Sequence, residues 1–113
     1  MQYTNAQQAP WILDIELSNP QFGITNVRVD VKGPFGYNVY QMINWQQTVN
    51  LQGASTGTIH VKFNIPSNVI PNGNKYQVCA SNQSDLLNMA LPSCMFVIHS
   101  HDNYEHITLP LQR

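Results

Sequence analysis

Residues 24–32 read ITNVRVDVK. Val27, Val29 and Val31 occupy every second position, with Arg28, Asp30 and Lys32 between them. Successive side chains on a strand point to opposite faces, so this stretch reads as a strand with one apolar and one solvated face. The same alternation recurs on both sides of it. In WILDIELS, Trp11, Leu13, Ile15 and Leu17 alternate with Ile12, Asp14 and Glu16. In TIHVKFNI, Ile59, Val61, Phe63 and Ile65 point one way and His60, Lys62 and Asn64 the other.

Shorter strands are expected at YNVYQMI (37–43), TVNLQ (48–52), KYQVCAS (75–81), CMFVIHS (94–100) and HITLPLQ (106–112). Turn residues separate them at SNPQFG (18–23), GPFG (33–36), GASTG (53–57) and IPSNVIPNGN (65–74). Ser84 is placed to cap a single helical turn in SDLLNMALP. Short strands punctuated by turns, with no sustained helical period, predict an all-β fold. The expectation is an immunoglobulin-like antiparallel β-sandwich of seven to eight short strands. Residues 1–10 are read as a flexible lead-in and 11–113 as a single domain, since 113 residues hold one modest core.

Composition excludes several function classes. Charged residues make up 10% of the chain, against about 25% in an average globular protein. The polar surface is supplied by 13 Asn and 11 Gln instead. Five scattered Lys and Arg, with net charge −1, form no basic stripe for a phosphate backbone or an anionic membrane. No apolar run reaches the roughly 18 residues of a membrane span. MQYTNAQQAP has neither a basic start nor an apolar stretch, so no signal peptide is expected in it. The amide-rich, lysine-poor composition leans toward a secreted or cell-surface protein whose signal has been removed.

IPNGNKYQVCA (70–80) resembles the corner of immunoglobulin-like and fibronectin type III-like domains, where a Pro/Gly turn precedes Tyr-x-Val. The resemblance implies that Tyr76 is the corner tyrosine, its hydroxyl tying down the turn, with Val78 its inward neighbour. The longer pattern runs through GPFGY, NVIPNGNKYQVC and LPSC to a His-bearing strand. It is similar to small β-sandwich modules of secreted archaeal surface proteins, a likeness that implies a location and a fold rather than a reaction. The antibody pattern is not met, because no tryptophan lies between the two cysteines.

Cys79 and Cys94 lie near facing ends of consecutive expected strands. In an exterior protein they form a disulfide; in a reducing compartment they are two buried thiols. No C-x-x-C pair exists for a zinc ribbon. Asn82-Gln83-Ser84 is an N-glycosylation pattern in the loop between them.

HSHDNYEH (99–106) holds three of the four histidines. His99 and His101 share a strand face. With DNYE as a four-residue hairpin loop, His106 lies opposite His101, with Cβ atoms about 4.5–5.5 Å apart. Three imidazoles would then converge as ligands for zinc or copper, with Asp102 or Glu105 as a fourth ligand or outer partner. The competing reading is a polar hairpin tip, and a one-residue slip in register would remove the convergence. A blue-copper set built on His60, Cys94 and His99 lacks the axial methionine.

No G-x-S-x-G elbow, P-loop or H-E-x-x-H is present. Asp14 and Glu16 share a strand face, an arrangement more typical of solvated surface than of a glycosidase pair. Tyr37, Tyr40 and Trp45, with Phe35, are either a stacking surface for a sugar or part of the core. The function expected is a non-catalytic module for adhesion, assembly or recognition, binding a protein or a surface glycan. The alternatives are a zinc or copper module through His99, His101 and His106, and a carbohydrate-binding module.

Overall fold

The computed structural model describes residues 10–18, 24–35, 42–55, 57–66, 70, 73–83, 91–99 and 103–111. These contain seven strands and no helix: β1 (Trp11–Ser18), β2 (Ile24–Phe35), β3 (Ile43–Ser55), β4 (Ile59–Ile65), β5 (Lys75–Asn82), β6 (Ser93–Ile98) and β7 (Tyr104–Pro110). A three-stranded sheet in the order β4-β1-β7 faces a four-stranded sheet in the order β3-β2-β5-β6. This is the β-sandwich that the alternation predicts.

The alternation also sets the register. Leu13 lies opposite Phe63 and Ile15 opposite Val61 across β1 and β4; Ile15 and Leu17 lie beside Ile107 and Leu109 of β7. From the other sheet, Val29 meets Ala80 and Val31 meets Val78. All of these side chains are buried in one core. Each large aliphatic side chain so buried contributes about 1.5–3 kcal/mol. A slip of one residue would turn the set into water, so register is strongly specified. Ile24 and Val27, three apart, both reach the core because the β2–β3 register shifts between Ile24 and Asn26.

Several expected boundaries move. GPFG is not wholly a turn: β2 continues through Gly33 and Pro34 to Phe35, and its register with β5 shifts between Lys32 and Phe35. Such an irregularity accommodates a proline that cannot donate to the ladder. β3 runs unbroken from Ile43 to Ser55, absorbing Trp45, the expected fourth strand and the start of GASTG. Most of the expected third strand, including Tyr37 and Tyr40, lies outside the described residues, as does nearly all of the helical turn at 84–92.

The largest departure is at the C-terminus. β6 and β7 do not form a hairpin. β6 is an edge of the four-stranded sheet, while β7 crosses to the other sheet and runs parallel to β1. Backbone bonds pin the crossing at both ends. His99 exchanges bonds with the Gly73–Asn74 turn (Gly73 N to His99 O 2.9 Å, His99 N to Asn74 O 2.8 Å), and Ile12 N donates to Asn103 O at 2.9 Å.

Candidate functional site

The placement of β7 separates His99 from His106. Glu105 and Ile107 point inward, so His106 between them points outward, half exposed. His99 is 1% exposed and bonds inward-facing Glu105, with Nδ1 3.2 Å from Oε2. His99 and His106 therefore lie on opposite faces of the three-stranded sheet and do not converge. His101 lies outside the described residues. The expected hairpin geometry fails because the ladder partner of β7 is β1, not β6. Among the described residues, no group of three or more His, Cys, Asp or Glu is arranged to hold a metal ion.

His99 belongs instead to a cluster between the sheets. Its ring lies 4.1 Å from that of Trp11, which meets Tyr76 edge-on at 5.4 Å. Tyr76, the second residue of β5, is fully buried. Its hydroxyl has no hydrogen-bond partner among the described residues, so the tie that the resemblance implies is not made there. Burial, and secondarily the charge of Glu105, push the Tyr76 phenol well above its ordinary pKa of 10.0.

His106 joins a second group, on the outer face of the three-stranded sheet. Asp14 and Glu16 of the central strand β1 lie between His60 of β4 and His106 of β7. His106 Nδ1 is 3.5 Å from Asp14 Oδ2, and its Nε2 is 3.6 Å from Glu16 Oε1. His60 faces the same two carboxylates more loosely, at 3.9 and 4.0 Å. Asp14 Oδ2 also accepts a hydrogen bond from the Tyr104 hydroxyl, while Oδ1 is buried without a hydrogen-bond partner. That hydroxyl holds the Asp14 carboxyl below its ordinary value, with His106 adding to the effect and burial opposing it. The same bond raises the Tyr104 phenol. The shared face of Asp14 and Glu16 was legible in β1 alone; the arrival of Tyr104 and His106 was not.

The outer face of the four-stranded sheet carries different chemistry. A groove of about 340 Å³ is lined there by Arg28, Asp30, Lys32, Asn44, Gln77 and Gln83, with the Cys79 end of the disulfide. The bridge between Cys79 and Cys94 spans residues directly paired across β5 and β6, as the exterior reading expects. Arg28 bonds Asp30 through Nε and Nη2 (3.1–3.3 Å) and reaches Gln46 Oε1 at 2.5 Å.

Beside this groove β6 is an outer strand of the four-stranded sheet, with no further strand paired to it among the described residues. Phe96 is 53% and Ile98 65% exposed, and Leu91 just before the strand 73%. Phe96 meets Phe35 edge-on at 5.3 Å, and Lys75 Nζ lies 5.4 Å from its ring. The sequence pattern of CMFVI, apolar at every position, gave no sign of which face would be open: Val97 packs on the core, while Phe96 and Ile98 face out. Of the expected aromatic surface, Trp45 turns inward against Phe63 (5.7 Å), packed on the core; Tyr37 and Tyr40 are outside the described residues.

The chain matches no protein-family model, no curated protein and no solved structure.

Proposed function

We propose that the chain is a non-catalytic, extracellular or cell-surface module that assembles by pairing its β6 edge with a second copy. The observation that carries this is the exposure of Phe96 and Ile98 on an edge strand. Edge strands are normally blunted by charges, prolines or covering loops. Ser93–Ile98 contains no charged residue and no proline. A strand of this kind is self-complementary: two copies related by a two-fold axis would extend the sheet and cover each other's apolar side chains. Net charge −1 opposes this only weakly.

The exterior location rests on the disulfide, which persists in oxidising compartments. An immunoglobulin-like or fibronectin type III-like identity belongs to the same proposal. It is supported by the two-sheet arrangement and by Tyr76 at the start of β5.

The test is sedimentation equilibrium over a range of concentrations, on the wild type and on a Phe96→Lys/Ile98→Lys double variant. The expected result is a reversible dimer that the variant abolishes. A wild type that stays monomeric up to millimolar concentration overturns pairing between copies.

A further inference from the structure

The groove on the four-stranded sheet raises a question that edge pairing does not answer. Three rows of outward side chains cross it. The first joins Thr48, Arg28 and Ser81; the second Gln46, Asp30 and Cys79; the third Asn44, Lys32, Gln77 and Phe96. In the first two rows Arg28, Asp30 and Gln46 satisfy one another. The third row is different. Among the described residues, the side chains of Asn44, Lys32 and Gln77 make no hydrogen bond or ion pair. An ammonium with three donors thus stands between two amides, each offering a donor and an acceptor. All three line the same groove, and the row ends at the exposed apolar surface of Phe96.

Charge adds a direction. Arg28 and Asp30 cancel, which leaves Lys32 as the net charge of the groove. Lys75, one pair further along β5 on the same face, adds a second cation beside Phe96. In a chain with only five Lys and Arg, three of them share this face.

We infer that the groove is a saccharide site that reads an acidic sugar. Lys32 takes the carboxylate of a uronate unit, Asn44 and Gln77 exchange hydrogen bonds with its hydroxyls, and Phe96 borders its apolar C–H face. An amide presents donor and acceptor together, as vicinal hydroxyls require. A peptide or nucleic acid would need either more apolar depth or more cations than this groove offers.

The experiment is affinity electrophoresis in gels containing polygalacturonate, with dextran as the neutral polysaccharide and polyglutamate as a polyanion without sugar. The proteins are the wild type, Lys32→Ala and Gln77→Ala. Both substitutions are on a solvated face, and unchanged thermal midpoints verify the fold. The expected result is retardation by polygalacturonate alone, weakened at least tenfold in each variant. Equal retardation by polyglutamate, equal retardation by dextran, retardation that survives Gln77→Ala, or none at all overturns the inference. Lys32, Asn44 and Gln77 lie on β2, β3 and β5 and stay open whether or not copies pair at β6, while Phe96 is open in the monomer; run at concentrations too low for pairing, the electrophoresis is independent of whether edge pairing occurs.

Discussion

His99 Nδ1 and Glu105 Oε2 lie 3.2 Å apart and join the two sheets. His99 follows β6 in the four-stranded sheet, and Glu105 belongs to β7 in the three-stranded one. Deleting either group removes this hydrogen bond, a loss of about 0.5–1.5 kcal/mol. His99→Ala also deletes the ring packed on Trp11. We expect His99→Ala to lower unfolding free energy by about 2–4 kcal/mol, combining these losses. Glu105→Gln, which keeps an acceptor, should cost less. Urea denaturation read by tryptophan fluorescence would order the two; a larger loss for Glu105→Gln would show that the carboxylate matters for another reason.

Gly33 is a point where the neighbouring strand β5 and Ile70 leave no room for a side chain. A Cβ built there would lie 2.9 Å from Ile70 Cδ1 and 3.2 Å from both Lys75 O and Tyr76 Cβ. The Ile70 methyl group can swing away, but the carbonyl is part of the β5 backbone. Gly33→Ala should therefore destabilise by about 1–3 kcal/mol, as overpacking does. At Gly73 the difficulty is different: φ is +85° and nothing lies within 4 Å, so Gly73→Ala strains the backbone without a clash. Thermal unfolding of both variants checks the contrast; a neutral Gly33→Ala would mean that Tyr76 and the β5 backbone yield freely.

These two sites mark the boundary of what the sequence made legible. Strands β1, β2 and β4 were readable because Leu13, Val29 and Val61 each sit in an unbroken period of two, a local signal. The partner of β7 was not readable. Ile107 and Leu109 announce a half-buried strand but fit β6 or β1 equally well, because alternation says which face is buried and not which strand is adjacent. The convergence of His99 with His106 depended on that choice, so it failed with it, and His106 joined Asp14, Glu16 and His60 instead. Pro34 misled for a local reason: a proline that reads as a turn also fits at a register shift.

The disulfide should be a large part of the stability of this domain. It closes a separation of 15 residues, for which loss of chain entropy gives about 3 kcal/mol. Reduction should lower the urea midpoint accordingly, and a Cys79→Ala/Cys94→Ala variant should match the reduced wild type. A reduced protein as stable as the oxidised one would remove the principal support for an exterior location.

The carboxyl group of Asp14 connects the outer face of the three-stranded sheet to acid stability. Tyr104 donates to it, and its pKa lies below the ordinary 3.8. A carboxylate depressed in the folded state contributes stability that is present above the unfolded value and lost as pH falls through the folded one. The Asp14 contribution should therefore be intact at neutral pH and disappear below the ordinary carboxylate value. Tyr104→Phe removes the first of the depressing contacts and leaves His106 and Lys62 to oppose burial. It should raise the Asp14 pKa and shrink the acid-linked loss of stability, while His106→Ala does the same to a smaller extent. Carboxyl carbon shifts followed by NMR titration would measure both directly. An Asp14 that titrates at the same pH in wild type and Tyr104→Phe would assign the depression to His106 and Lys62, and His106→Ala would then have to raise it.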